Sequence, residues 1–288
     1  MRTLSEKVNG IVIPVLCFIL VAAPLIYYVL GNVPTNACGV YCVEDKELII
    51  SENADVHIAP ASLTKLLTAC TALSIMAPDM VLTVGSEQDL VPKHSSLCLI
   101  LEGHVLKLRD LIAGMLMVSG NDAAYTVAAA TVRESVTSAI SNEECIERFC
   151  GLMNDFALSI GMTDSNFLTP DGSDTPDQYT TVSDLIKLAE YALTVPTIKE
   201  IISQHERYTL FESGENITWT NSNKLIDPES LYYSPYASGM KTGTTVKAGN
   251  CLIGVFEKNG KTYISVVSGC STDGQRYEIT LMLMRDIL

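Results

Sequence analysis

Basic residues are scarce in this chain of 288: 19 Lys and Arg face 33 Asp and Glu, for a net charge of −14 and a pI near 4.6. A nucleic-acid partner would need a basic face to neutralise its phosphates, so no nucleic-acid role is expected. Acidity of this kind serves solubility. Histidine is sparse as well. His57, His94, His104 and His205 are scattered, and neither Cys-x-x-Cys nor His-Glu-x-x-His occurs, so neither a metal nor another cofactor is expected. Nine cysteines are present, but no spacing resembles the framework of a small disulfide-stapled fold. Cys17 lies in an apolar stretch, Cys70 on a helix face expected to be buried, and Cys98 and Cys251 in apolar runs. A core of this size needs no staples. Most cysteines are therefore expected as buried free thiols, with Cys38–Cys42 and Cys145–Cys150 left open as pairs. No repeat, low-complexity tract or long linker interrupts the chain, and its length suits one large domain or two small ones.

Charge is also missing from Ile11 to Leu30, twenty residues interrupted only by Pro14 and Pro24. A bilayer-spanning helix needs about 20 apolar residues, whereas signal-peptide cores run about 7–15. Arg2 and Lys7 precede the stretch and Glu44, Asp45 and Glu47 follow it, an asymmetry that places the N-terminus in the cytoplasm. Residues 1–10 are then a cytoplasmic tail and 11–31 a transmembrane anchor. The rival reading is a long cleaved signal segment, because Val29-Leu30-Gly31 and Thr35-Asn36-Ala37 offer small residues suited to cleavage. Both readings export residues 37–288 to the outer side of the membrane.

Within 37–288 the pattern predicts a hairpin (39–44 with 48–51), then a helix opening at Ser62 whose apolar positions Leu63, Leu66, Leu67, Cys70 and Leu73 recur at helical spacing. Helices are expected at 108–117 and 122–130, with Asn121 as a cap, and at 143–160 with a stop at Gly161. Residues 167–180, rich in Pro, Gly, Asp and Thr, read as a long surface loop. Helices at 182–193 and 198–203 and an extended pair at 207–211 and 217–220 follow. Strands at 251–256 and 263–267 flank Lys258-Asn259-Gly260, a hairpin signal. A helix over 275–288 closes the chain. Strands at both ends around a helical middle predict an α+β fold, an antiparallel sheet flanked by helices with a mostly helical insertion.

Three short motifs carry the chemistry: Ser62-Leu63-Thr64-Lys65, Ser119-Gly120-Asn121 and Lys241-Thr242-Gly243. Each is common by chance, and Ser62 alone reads as well as a helix N-cap. Their conjunction is what counts. A serine hydroxyl needs an adjacent base to become a nucleophile, and lysine serves only when neutral. One helical turn puts Ser62 and Lys65 on the same face. Burial of Lys65, with Lys241 as a second cation nearby, would lower its pKa. A helix N-terminus favours a developing oxyanion. Ser119 would relay a proton to the leaving group and Asn121 hold a substrate amide. Lys241-Thr242-Gly243 would be a strand edge to which an extended peptide adds, with Gly243 permitting close backbone approach.

These segments resemble the serine-type D-alanyl-D-alanine carboxypeptidases, the low-molecular-mass penicillin-binding proteins. Pro60 to Ala69 is nearly that family's nucleophile segment, and Ser119 to Ala124 its second motif with flanks. Asn221 to Leu225, Gly239 to Thr245 and Ala248-Gly249-Asn250 match its later blocks. The resemblance covers residues 37–288 and implies a penicillin-binding protein/serine β-lactamase-like fold. It implies Ser62 as the acylated nucleophile, Lys65 as its base and Ser119 in proton transfer. Asn121, Lys241, Thr242, Gly243 and Thr244 would bind substrate, with the amides of Ser62 and Thr244 as the oxyanion hole. Arg276 lies where the family often places an arginine that assists the substrate carboxylate, although it also reads as a surface charge near a helix start. The implied substrates are peptidoglycan stem peptides, with β-lactam antibiotics as covalent inhibitors. Many members carry histidine where this chain has Asp171. Members with a C-terminal β-rich domain and terminal anchor have more chain, so an N-terminal anchor is expected here.

Three other functions use the same parts. A class A β-lactamase needs a loop glutamate for fast deacylation, and residues 167–180 contain none. A penicillin sensor would need a signalling domain, for which the short tail before Ile11 leaves no room. Endopeptidase or transpeptidase action on the same peptides differs only in pocket shape and acceptor.

Overall fold

The computed structural model describes residues 37–288 apart from 137 and 138. The anchor or signal segment at 11–31 and Cys17 lie outside the described residues. Among the described residues, no helix is long and apolar enough to cross a membrane.

Two distant parts of the chain build one antiparallel sheet. β1 (Ala37–Cys42) and β2 (Glu47–Glu52) come from the start; β7 (Ala237–Thr245), β8 (Gly249–Lys258) and β9 (Lys261–Cys270) come from the end. The order is β2-β1-β9-β8-β7, so β7 is an edge. Lys258 pairs with Lys261 across Asn259-Gly260, and both loop residues have positive φ, 53° and 76°. That two-residue loop matches the twist of the flanking strands. β8 and β9 are buried over consecutive residues, as strands covered on both faces must be. α5 (Val182–Leu193) contacts β1 and β9, and α7 (Asp273–Met284) contacts β8 and β9.

The helical middle surrounds α1 (Thr64–Ile75), which has no exposed residue from Thr64 to Ala72. It touches α2 (Leu108–Met117), α3 (Asn121–Ser135), α4 (Asn142–Ser159) and α5. Leu63, Leu66 and Leu67 are fully buried there, each stabilising the fold by about 1.5–3 kcal/mol. α6 (Pro196–Ile202) opens on a proline, whose fixed φ suits a first helical turn. Two small sheets complete the fold: β3 (Val81–Thr83) with β4 (Val105–Lys107), and β5 (Glu206–Leu210) with β6 (Asn216–Thr220). The first of these was not expected from sequence, because three residues are too few to show a period.

All eight described cysteines are buried, and Cys38, Cys42, Cys70, Cys98, Cys145, Cys150 and Cys251 are free thiols. Cys38 and Cys42 sit four residues apart on one extended strand, and Cys145 and Cys150 five apart on α4. Neither spacing brings two Cα atoms within disulfide range on a regular element.

Candidate active site

A short 3₁₀ turn, Ala61–Leu63, delivers Ser62 to the start of α1. Ala61 has φ 49°, the left-handed region that an alanine rarely occupies. Its neighbours hold it there. Gly172 comes so close that a Cβ at that position would lie 1.8 Å from the Ala61 carbonyl oxygen. On the other side a Cβ at Gly243 would lie 3.1 Å from both the Ser62 nitrogen and the Ala61 Cβ. The nucleophile turn is thus clamped between the 167–174 loop and edge strand β7, and glycine is what lets both backbones approach. Ser62 is not an N-cap: Leu63 holds that place and no side chain caps the helix.

Lys65 lies one turn on and is fully buried. Its Nζ donates to Ser62 Oγ at 2.8 Å and to the Asp171 main-chain oxygen at 2.9 Å. Burial lowers its pKa to about 8, against the opposing charges of Asp171 and Asp122. In the neutral amine the 2.8 Å contact reverses, with the Ser62 hydroxyl donating to the nitrogen lone pair. Lys241 is also fully buried and donates to the Thr242 main-chain oxygen at 2.8 Å. Burial pushes its pKa well below the ordinary lysine value, and the Lys65 and Arg276 charges push the same way.

The second motif forms the break between α2 and α3. Ser119 has φ 63°, which turns the chain sharply so that Asn121 opens α3. Asn121 is not the cap expected of it. Gly120 occupies that position without a side-chain bond, and the Asn121 amide donates instead to the Asp171 carboxylate. The adjacent Asp122, unassigned from sequence, is buried and accepts the main-chain N–H groups of Cys98 (2.9 Å), Ile100 (3.2 Å) and Ala123 (2.9 Å). It ties the 96–100 segment to α3. The run Ser119-Gly120-Asn121-Asp122 was legible as a motif; which carboxylate binds which amide was not.

Ser62, Asn121, Asp171 and Thr244 share one cleft of about 290 Å³, with Lys93 to Ser96 forming part of its wall. Lys65, Lys241, Thr242 and Gly243 lie buried around it. Ser119 does not line the cleft, and its hydroxyl has no hydrogen bond among the described residues. Thr242 shares a 2.8 Å hydroxyl contact with Ser222, whose N–H donates to Met117. That bond links the strand motif to the end of α2.

Arg276, readable from sequence as surface charge or site residue, is 7% exposed. Its Nη1 donates to the Gly243 carbonyl and the Thr244 hydroxyl, both at 3.1 Å, and to the Cys251 carbonyl at 3.3 Å. Asp273 accepts from Nη2, while Nε has no partner among the described residues. The guanidinium is thus built into β7 beneath Thr244, the residue that fronts the cleft. Asp273 escaped sequence reasoning, although an acid three residues before an arginine on a helix is a recognisable pair.

A serine in contact with a buried lysine at a helix start, beside the edge strand of an antiparallel sheet, is the arrangement expected of a penicillin-binding protein/serine β-lactamase-like fold. The chain belongs to the D-alanyl-D-alanine carboxypeptidase family, whose family model matches residues 43–272. It is 31% identical over 241 residues to the D-alanyl-D-alanine carboxypeptidase DacC of Escherichia coli K12, covering 80% of this chain and 55% of DacC. It is 25% identical to DacF of Bacillus subtilis 168, covering 82% of this chain and 58% of DacF. The chain therefore spans little more than half the length of these relatives. The crystal structure of the Streptomyces K15 DD-transpeptidase superposes with a TM-score of 0.79 at 24% identity, over 88% of this chain and 97% of that one. This last likeness establishes the fold alone.

Proposed function

We propose that the chain is a serine hydrolase that removes the C-terminal D-alanine from peptidoglycan stem peptides through an acyl-enzyme on Ser62. The observation that carries the proposal is the 2.8 Å contact between Ser62 Oγ and a fully buried Lys65 whose pKa burial lowers to about 8. Neutral Lys65 takes the Ser62 proton as Oγ attacks the carbonyl carbon of the penultimate D-alanine. The main-chain N–H groups of Ser62 and Thr244 hold the resulting oxyanion. Collapse breaks the C–N bond, and D-alanine leaves as an amine carrying the proton that Lys65 returns. Water then cleaves the ester and regenerates Ser62. Asn121 holds the substrate's backbone amide, with its own amide oriented by Asp171. Thr242, Thr244 and Arg276 receive the terminal carboxylate, and Lys241 supplies positive charge behind them. Edge strand β7 offers main-chain groups to an extended peptide.

β-Lactams enter the same cleft as peptide mimics and acylate Ser62. The family relatives and the uncharged stretch from Ile11 to Leu30 support placement of residues 37–288 outside the cytoplasm, with 11–31 as membrane anchor.

Mass spectrometry tests the reading on the full chain in detergent, with diacetyl-L-Lys-D-Ala-D-Ala and then penicillin. Release of one D-alanine and a penicillin adduct on Ser62, lost in Ser62→Ala, is the expected result. A stable adduct with no D-alanine released would replace hydrolysis with a sensor function or a narrower peptide. No adduct would remove Ser62 as the nucleophile.

A further inference from the structure

The Ser62 cleft is not the largest cavity of the fold. A second one, of about 450 Å³, lies between α3, α4 and the start of the 167–174 loop, a volume in the range of small-molecule sites. No residue lines both cavities. Ile146 and Leu168 form apolar wall, and Tyr125 also lines the cavity. Tyr125 is 6% exposed, yet its hydroxyl has no hydrogen bond among the described residues. The hydroxyl oxygen is not sealed from solvent, so it opens to the cavity, where an acceptor on a ligand can reach it.

The rim is acidic. Glu143 and Glu147 stand one turn apart on α4, and both border the cavity. Like charges at this spacing destabilise a helix. Neither has an ion pair among the described residues: Arg148 is taken by Glu144, and Arg133 by Glu87 and Asn142. Gly151 borders the same space in the middle of α4, and a Cβ there would meet nothing within 4 Å. Glycine inside a helix is destabilising relative to alanine. Here its effect is to leave the cavity open.

We propose that this cavity is a second ligand site, for a small molecule with a linear apolar body, a hydrogen-bond acceptor and a terminal ammonium. The body packs on Ile146 and Leu168, the acceptor takes the Tyr125 hydroxyl, and the ammonium sits between Glu143 and Glu147. The site is independent of the activity proposed for Ser62.

The test is calorimetric titration of the full chain in detergent with Nα-acetyl-L-lysine N-methylamide, which has all three features. Its control is Nα-acetyl-L-norleucine N-methylamide, which keeps the body and loses the cation. Saturable one-to-one binding is expected, with the norleucine probe at least about tenfold weaker, as loss of charge-assisted hydrogen bonds predicts. The double variant Glu143→Gln, Glu147→Gln should bring lysine-probe binding down to the norleucine level. Gly151→Leu should fill the space and abolish binding while circular dichroism stays unchanged. Ser62→Ala should leave binding intact whatever Ser62 does. Absence of saturable binding, equal affinity for both probes, or competition with penicillin at Ser62 would each overturn the proposal.

Discussion

Lys65 and Asp171, 106 residues apart in the chain, meet at 2.9 Å between the lysine Nζ and the aspartate main-chain oxygen. The aspartate carboxylate accepts the Asn121 amide, and its charge raises the lysine pKa against the larger effect of burial. Asp171→Asn keeps the shape and removes the charge. Protonated Lys65 then loses a stabilising neighbour, so its pKa falls further. The pH at which penicillin acylation reaches half its maximum should move below the wild-type midpoint. Stopped-flow acylation across pH measures both, and an unmoved midpoint would show that the Asp171 charge does not reach Lys65.

In the proposed mechanism the neutral amine is the active form. Acylation should rise with pH through about 8, where burial has placed the Lys65 pKa, and level off above it. The same shift links to stability. Between about 8 and the ordinary lysine value of 10.5, the unfolded chain holds a proton that the folded chain has released. Unfolding free energy from this group therefore increases with pH across that window, and Lys241 acts in the same direction. Urea titrations of Lys65→Met and the wild type compared over this range isolate the Lys65 part. Parallel curves would contradict it.

Lys65→Met separates chemistry from folding in another way. Methionine fills similar volume without a charge to desolvate, and replacing a buried ionisable group by an apolar one is often neutral or stabilising. Thermal stability below pH 8 should hold or improve. Acylation should fall by about 10²–10⁴-fold, the usual contribution of a general base. A variant that lost stability but kept its rate would make Lys65 a structural residue.

The clamp on the nucleophile turn makes its two glycines unequal. Gly172 has φ 84°, and an added methyl would sit within 1.8 Å of the Ala61 carbonyl oxygen. Gly172→Ala should cost about 3 kcal/mol or more, the range for combined strain and overpacking. Gly243 lacks the positive φ, and its methyl would meet Ser62 and Ala61 at 3.1 Å. Gly243→Ala should cost about 1–2 kcal/mol while slowing acylation, because it presses on the nucleophile's own backbone. Differential scanning calorimetry with parallel acylation rates distinguishes them; the reverse ranking would mean that the loop yields and the strand does not.

Much of this site was readable in the chain because its motifs are local. Ser62 and Lys65 meet through a single helical turn, and Asn259-Gly260 specifies its hairpin without help from the rest of the fold. The sheet drawn from both ends followed from where the strand patterns fell. What escaped depends on contacts between distant residues. Asn121 looks like a cap by its position, but an aspartate 50 residues away takes its amide. Nothing near Asp122 in sequence says that its carboxylate will gather the N–H groups of Cys98 and Ile100. Arg276 shows the limit most plainly, since the sequence supported a solvated charge and a site residue equally, and only burial beneath β7 excludes the solvated charge.

That burial gives the arginine a test that structure alone would not pass. Arg276 holds Thr244 Oγ1 and the Gly243 carbonyl with one nitrogen, so it shapes the end of the cleft where a terminal carboxylate would bind. Arg276→Lys keeps a positive charge but loses the planar fork that reaches several acceptors together. The Cys251 and Gly243 carbonyls then go short of donors, and some loss of thermal stability is expected from that alone. A purely structural arginine would slow all substrates alike. If it serves the carboxylate, kcat/KM for diacetyl-L-Lys-D-Ala-D-Ala should fall by about 10–100-fold, as when a charged contact to substrate is weakened. The C-terminal amide of the same peptide should lose less than about threefold. Equal losses for acid and amide would confine Arg276 to holding β7 in place.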